Sequence, residues 1–239
     1  MRQNTTRRFA LAAALALAIG GVHAHDGKAH TGGIASAANN AVTVDFDIVH
    51  TKITTEKNIA DFSRRHQLNL KPVVYDTFEA AFKGFFSGRC QVYSTDASGL
   101  ASVRNKEAPK PDDYLILPEL ISKEALGPMI RRGDDEWLAI VRWTVYALLE
   151  AEELGLTQAN IDKRKAEADP AIQRFVGTGE DMGKLLGLDK EWALRAVKAV
   201  GNYGEIFERN VGQGSPLKLQ RGMNKLWNQG GLMYPPPFR

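Results

Sequence analysis

Two short stretches carry residue types that could hold a charged small molecule. In IVHTKITTEKN, Ile48 to Asn58, a β-branched apolar run passes into Thr54, Thr55 and Glu56. A helix starting there offers unpaired backbone N–H groups, two hydroxyls and the positive end of its dipole, a natural seat for a carboxylate. In QVYSTDASGL, Gln91 to Leu100, Asp96 stands just past an apolar strand, where an acid can receive an ammonium group. Together the two would read both charges of a zwitterionic amino acid. Each also has a plainer alternative, in which Thr54 caps its own helix and Asp96 caps a helix that begins at Ala97.

The elements around these residues decide whether they can meet. From Val42 the pattern alternates, with Val42, Val44, Phe46 and Ile48 on one side and Thr43, Asp45 and Asp47 on the other, as in a half-buried strand. Helix TTEKNIADFSRRH, strand KPVVYD, helix TFEAAFKGFFSG, strand RCQVYSTD, a short helix ASGLASVRNK and strand DYLILPEL follow. Strict alternation of this kind predicts an α/β sheet of parallel strands with crossover helices, whose ligands sit beyond the carboxyl ends of the strands. Thr54, Thr55 and Asp96 all fall at such ends. After ISKEALGPMIRRGDD the chain turns helical. Trp137, Ile140, Val141, Thr144, Leu148 and Ala151 recur at helical spacing between an Asp134/Asp135 cap and a stop at Gly155, and the tryptophans read as core residues. A further helix is predicted from Asp189, and a last one from Ser215 and Pro216 through SPLKLQRGMNKLWNQGG. No internal repeat is present.

The first 24 residues have the form of a secretory leader: Arg2, Arg7 and Arg8, the apolar run FALAAALALAIGG, and Ala24 before the expected cut. The residues that usually follow a twin-arginine signal are absent, so the ordinary export route is expected, to a periplasmic location. No stretch approaches the roughly 20 apolar residues of a membrane span. Three of the 31 basic residues lie in the leader and none of the 28 acidic ones, so the remainder is near neutral. Its charge therefore gives no support to a nucleic-acid or anionic-membrane partner. Residues 25–41 are small and polar and read as a disordered lead. That lead holds His25, Asp26 and His30, too few ligands for an ordinary structural metal site. The division expected is thus a leader over 1–24, a lead over 25–41, an α/β ligand-binding lobe over 42–125 and a helical region over 126–239.

Catalytic signatures are missing: there is no Gly-x-Ser-x-Gly, no His-Glu-x-x-His and no phosphate-binding glycine loop. His50, Asp96 and Ser98 make a triad only on paper. Cys90 is the single cysteine, so no internal disulfide can form, and it reads as a buried small hydrophobe. Neither a cofactor nor a metal is expected.

Four stretches are specific enough to carry a resemblance: NLKPVVYDTFEAAFKGFFSGRCQVYSTDASGLASVR, LILPELISKEALGPMIRRGDDEW, VRWTVYALLEAEELGLTQANID and VGNYGEIFERNVGQGSPLKLQRGMNKLWNQGGLMYPPP. They resemble the general L-amino-acid-binding proteins, periplasmic receptors of ATP-driven importers within the family 3 solute-binding group, from about Ile48 to the carboxyl end. The resemblance implies a periplasmic-binding-protein-like, type II, two-lobed clamshell that closes on a free L-amino acid and docks on a membrane permease. In such proteins the second lobe supplies a helix-start threonine for the ligand carboxylate and an aspartate for its ammonium. By motif position these are Thr54 and Asp96, with Thr55 as a neighbour.

Three departures temper the carry-over. Relatives typically read Ser-Gly-Thr-Thr at the helix start, where this chain has Thr51, Lys52, Ile53 and Thr54, so a bulky cation replaces a glycine that admits ligand to the backbone. Relatives also tend to carry a cysteine at the position of Ile48. Most of the first lobe, which supplies an arginine and aromatic surfaces, is expected to be missing, leaving residues 126–239 as its remnant with the apolar faces around Trp137 and Ile140 partly uncovered. Two charge-assisted contacts are worth about 3 to 6 kcal/mol, whereas a micromolar receptor needs about 8. The expectation is a binding component of an amino-acid importer that holds its ligand at millimolar strength. The alternative is a truncated, weakly binding or non-binding partner protein that self-associates through its bare helical face. An enzyme of similar fold would need a general acid or base at the cleft, for which only His50 and Glu56 are near enough to nominate.

Overall fold

In the computed structural model, residues 9–12, 46–51, 54–118, 120–122 and 126–238 are described, the backbone alone at 9–12, 46–51 and Thr54. The chain divides into two units, Met1–Ala125 and Leu126–Arg239.

Unit 1 follows the alternation in the sequence. Strand β1 is Phe9–Ala12 and β2 is Phe46–Thr51; then come α1 (Thr54–Arg65), β3 (Leu70–Tyr75), α2 (Phe78–Phe86), β4 (Val92–Ser94), α3 (Ala97–Glu107) and β5 (Tyr114–Leu117). Residues 42–45 of the expected strand lie outside the described residues, as does the lead over 25–41. Helix α1 carries Glu56 in its first turn and Arg64 and Arg65 in its last, matching both ends of the dipole. It stops where the Ser63 hydroxyl donates to the Leu68 carbonyl at 2.7 Å. Helix α2 begins where Thr77 Oγ1 accepts from Ala80 N at 3.1 Å.

The sheet runs β3-β2-β4-β1-β5, and every pair is parallel. Parallel strands need crossover connections, and these are right-handed almost without exception. From β2 the chain moves outward to β3, whereas from β3 to β4 and from β4 to β5 it moves the opposite way. Helix α1 therefore belongs on one face of the sheet, and α2 and α3 on the other. Packing agrees with this. Ile59 of α1 meets Val92, Leu70 and Leu117 in one cluster. Ala81, Phe82 and Phe85 of α2 and Leu100 and Val103 of α3 meet Cys90, Tyr93, Val73 and Ile116 in another. Val92 and Tyr93, adjacent on β4, face opposite ways as the pleat requires. Cys90 is buried, as its surroundings in the sequence predict.

Unit 2 is helical: α4 (Asp135–Glu153), α5 (Ile161–Arg164), α6 (Pro170–Val176), α7 (Trp192–Val200) and α8 (Tyr203–Asn210). Asp134 caps α4 by accepting from Trp137 N at 3.0 Å, and Gly155 takes the left-handed conformation just past its end. Asn202 closes a reciprocal capping box with Glu205 at the head of α8. The core gathers Ala147, Leu156, Ile172, Phe175, Val176 and Val197. The carboxyl-terminal prolines bring Phe238 into it, 5.5 Å from the Phe175 ring and 5.9 Å from Trp192, while Arg174 Nε donates to the Phe238 carbonyl at 3.0 Å. Outside that core, Arg221 forms a bidentate pair with Glu152 at 3.0 and 3.2 Å and lies over the rings of Tyr203 and Phe207.

Two expectations for this unit are corrected. Residues 215–231 form no α-helix, only two 3-10 turns at Gly222–Asn224 and Trp227–Gln229. Their backbone is satisfied elsewhere, since Gln213 Nε2 donates to the carbonyls of Lys218 and Leu219, and Leu219 N donates to Val211 O. Lys218 and Gly222 adopt positive φ, which a right-handed helix does not admit. Trp137 is not a core residue: it is 51% exposed on α4, in line with the partly uncovered face expected around it, whereas Trp143 packs against the core and Trp192 is buried within it.

Candidate functional site

The order of strands sets the geometry of the candidate site. Sheet order reverses direction between β2 and β4, which are hydrogen-bonded neighbours with Val49 paired to Tyr93. Two residues further on, Thr51 and Thr95 leave the sheet level with each other. Helices α1 and α3 depart to opposite faces, and both start at the carboxyl edge of the sheet. Such a reversal is where open α/β sheets hold ligands.

Thr54 is the first residue of α1, and Thr55, beside it, is half-buried. Asp96 occupies the N-cap position of α3, and it is exposed. Both segments thus emerge from adjacent strands at one edge. The Asp96 side chain accepts no capping hydrogen bond, although its helix starts at Ala97 as the sequence predicts. This sets it apart from Thr77, Asp134, Asp169 and Asn202, each of which bonds a backbone N–H of the helix it precedes. The Asp96 carboxylate is left to face solvent. The first turns of α1 and α3 add backbone N–H donors and the positive ends of two dipoles. The start of α1 and the exposed Asp96 carboxylate thus lie at the same edge of the sheet, at the ends of neighbouring strands.

Under this edge lies Tyr93, fully buried and without a well-formed hydrogen bond at its hydroxyl. Burial pushes the phenol above its ordinary range, and the Thr95 side chain opposes part of that rise. The half-exposed Phe78, first residue of α2, lies with its ring 6.2 Å from the Tyr93 ring and tilted to it. The sequence reading passed over both, since only the pairing of β4 with its neighbours locates them. Of the residues nominated for catalysis, Glu56 is exposed in the first turn of α1, Ser98 is half-buried in the first turn of α3, and His50 lies on β2, where only the backbone is described. Among the described residues no group of three His, Cys, Asp or Glu side chains could hold a metal ion, and no helix is long and apolar enough to cross a membrane. His25, Asp26 and His30 lie outside the described residues. In unit 2 a shallow, largely apolar groove runs along α4, where Ile130, Leu138, Val141, Val145 and Tyr146 line it together with Arg142.

Comparison with known proteins gives a consistent result. No protein-family model matches the chain. The chain is 52% identical over 193 residues to the general L-amino acid-binding periplasmic protein AapJ of Rhizobium johnstonii, a match covering 80% of this chain and 56% of that protein. It is 45% identical over 241 residues to the glutamate/glutamine/aspartate/asparagine-binding protein BztA of Rhodobacter capsulatus, covering 99% of this chain and 71% of that one. Among solved structures it resembles an ABC transporter periplasmic binding protein from Brucella ovis with glutathione bound, at a TM-score of 0.76 and 48% identity, over 82% of this chain and 61% of the other. The chain thus spans little more than half of the first relative's length and under three quarters of the second's.

Proposed function

The chain belongs to the periplasmic substrate-binding proteins of amino-acid ABC transporters, a family of binding proteins rather than enzymes, and we propose that it holds free L-amino acids for such an importer at the carboxyl edge of the sheet, where β2 and β4 end. The ligand carboxylate sits at the start of α1, against Thr54 and the neighbouring Thr55, and the ammonium group meets Asp96. One observation carries this reading: Asp96 stands at an N-cap position, exposed, with its carboxylate spent on no cap, at the end of the strand next to the one that leads into α1. A residue kept only to start α3 would make that bond. The fold is that of periplasmic binding proteins. In this reading unit 1 corresponds to the second lobe of a type II receptor and unit 2 to the carboxyl-terminal part of its first. Docking on the importer's permease and a periplasmic location follow from the family.

Affinity is modest in this reading. Two charge-assisted contacts contribute about 3 to 6 kcal/mol, and the family resemblance puts a glycine where this chain has the bulky Lys52. A dissociation constant near the millimolar range is the result. Titration of the purified chain with a panel of L-amino acids, alongside the matching amines and carboxylic acids that lack one charge, tests this. Binding of the zwitterions alone, in the millimolar range, is expected. Equal binding of amines or acids, or a constant below about 10 μM, would refute it.

A second reading, a weakly binding or non-binding partner protein that associates through its helical face, draws on the half-exposed Trp137 and the largely apolar groove of α4. Light scattering separates the two: a monomer up to high concentration removes the partner reading, and a concentration-dependent dimer that binds no amino acid favours it.

A further inference from the structure

The sheet of unit 1 contains a strand that comes from far outside its alternating run. Between β4 and β5 lies β1, Phe9–Ala12, with Ala10 to Ala12 paired to Val92 to Ser94 on one edge and Phe9 to Ala12 paired to Tyr114 to Leu117 on the other. Residues 13–45 separate it from β2, a connection long enough to reach on the order of 100 Å. No local turn therefore sets its place, which is decided by the two edges it joins. Among the described residues, β1 is the strand that ties β5 into the sheet. A parallel strand between helix-covered faces reads as a continuous apolar run rather than an alternating one. Phe9-Ala10-Leu11-Ala12 has that character, in contrast to the alternating Val42 to Ile48. The same four residues lie within the stretch that has the form of a removable leader ending at Ala24.

We propose that the gap between β4 and β5 is a strand-acceptor site, occupied by Phe9–Ala12 in the whole chain and, in a chain cut after Ala24, by an equivalent extended segment supplied in trans. Its occupant is defined by chemistry: four or more extended residues, apolar throughout, running parallel to β4, with backbone N–H and C=O groups open on both edges and no proline. Loss of β1 leaves both edges of the gap with unpaired backbone groups and cuts β5 from the sheet, so an empty site is costly and any such segment gains two ladders at once. This inference is independent of the amino-acid reading, since it concerns the gap between β4 and β5 rather than the edge where β2 and β4 end.

Amide hydrogen exchange on the full-length chain tests it. The amides of Ala10 to Ala12 and of Tyr114 to Leu117 should exchange on the order of 100-fold more slowly than unstructured ones. In the variant Leu11→Pro, which removes a ladder donor from mid-strand, protection over 114–117 should fall by a similar factor. Adding a peptide of residues 5–16, TTRRFALAAALA, should restore it, and the same peptide carrying Leu11→Pro should not. Exchange of Ala10 to Ala12 at unstructured rates in the unaltered chain would overturn the proposal, whether or not the variant folds. Protection over 114–117 that ignores Leu11→Pro, or that the unaltered peptide does not restore, would overturn it equally.

Discussion

Replacing Asp96 with alanine separates the two roles an acid can have at the head of a helix. Had its carboxylate capped α3, removal would cost about 0.5 to 2 kcal/mol of stability. Here the side chain is exposed and makes no such bond, so the expected change is within about 0.5 kcal/mol. Losing a charge-assisted contact to a ligand ammonium costs about 1.5 to 3 kcal/mol, a weakening of about 10- to 150-fold. Asp96→Ala should therefore unfold at nearly the same urea concentration as the unaltered chain, while the shifts that millimolar L-amino acids induce in its amide spectrum disappear. Urea titration and two-dimensional NMR on the same sample supply both readings. A loss of more than about 1 kcal/mol would show that the carboxylate supports the helix after all. Unchanged stability together with unchanged ligand shifts would refute the ammonium contact itself.

Three further substitutions probe unit 2. Arg221→Ala leaves Glu152, only 12% exposed, without the pair it makes at 3.0 and 3.2 Å; the cost should be about 3 to 5 kcal/mol by urea unfolding, and the double variant Glu152→Gln/Arg221→Met should lose less. Asn202→Ala removes both the cap to Glu205 N at 2.9 Å and the donor to the Leu156 carbonyl at 2.8 Å, for a combined loss of about 2 to 4 kcal/mol in the same assay. Glu150 has its pKa raised, first by burial and then by the nearby Glu153, against the opposing charge of Arg174. Its folded form thus binds a proton more readily than its unfolded form, so its contribution to stability falls as pH rises from the unfolded value of 4.5 through the raised one. Glu150→Gln should flatten that part of the stability curve and melt higher at neutral pH; a curve unchanged in shape would sink this assignment.

Much of this protein is legible residue by residue, because the forces concerned act over a few positions. Alternation of strand and helix from Phe46 to Leu117, the cap at Asp134, the stop at Gly155 and the helix start at Ala97 are all local, and the structure has each of them. After Ser215 the local pattern is apolar enough for a helix, but the backbone finds partners in Gln213 and Val211 instead. Periodicity assigns Trp137 to an apolar face but does not say what covers that face, and Trp137 is 51% exposed. For the candidate site, residue types alone point to Thr54, Thr55 and Asp96, yet leave capping as the plainer explanation of Thr54 and Asp96.

Charge, hydroxyl and helix-starting character are properties of single side chains and their near neighbours, and so are legible along the chain. Only tertiary structure decided that β2 lies against β4, that sheet order reverses there, and that the starts of α1 and α3 share one edge. It likewise decided that Phe9–Ala12 completes the sheet. Pairing of strands distant along the chain depends on which edges and apolar faces find each other once the whole unit folds, a competition that no window of neighbouring residues contains.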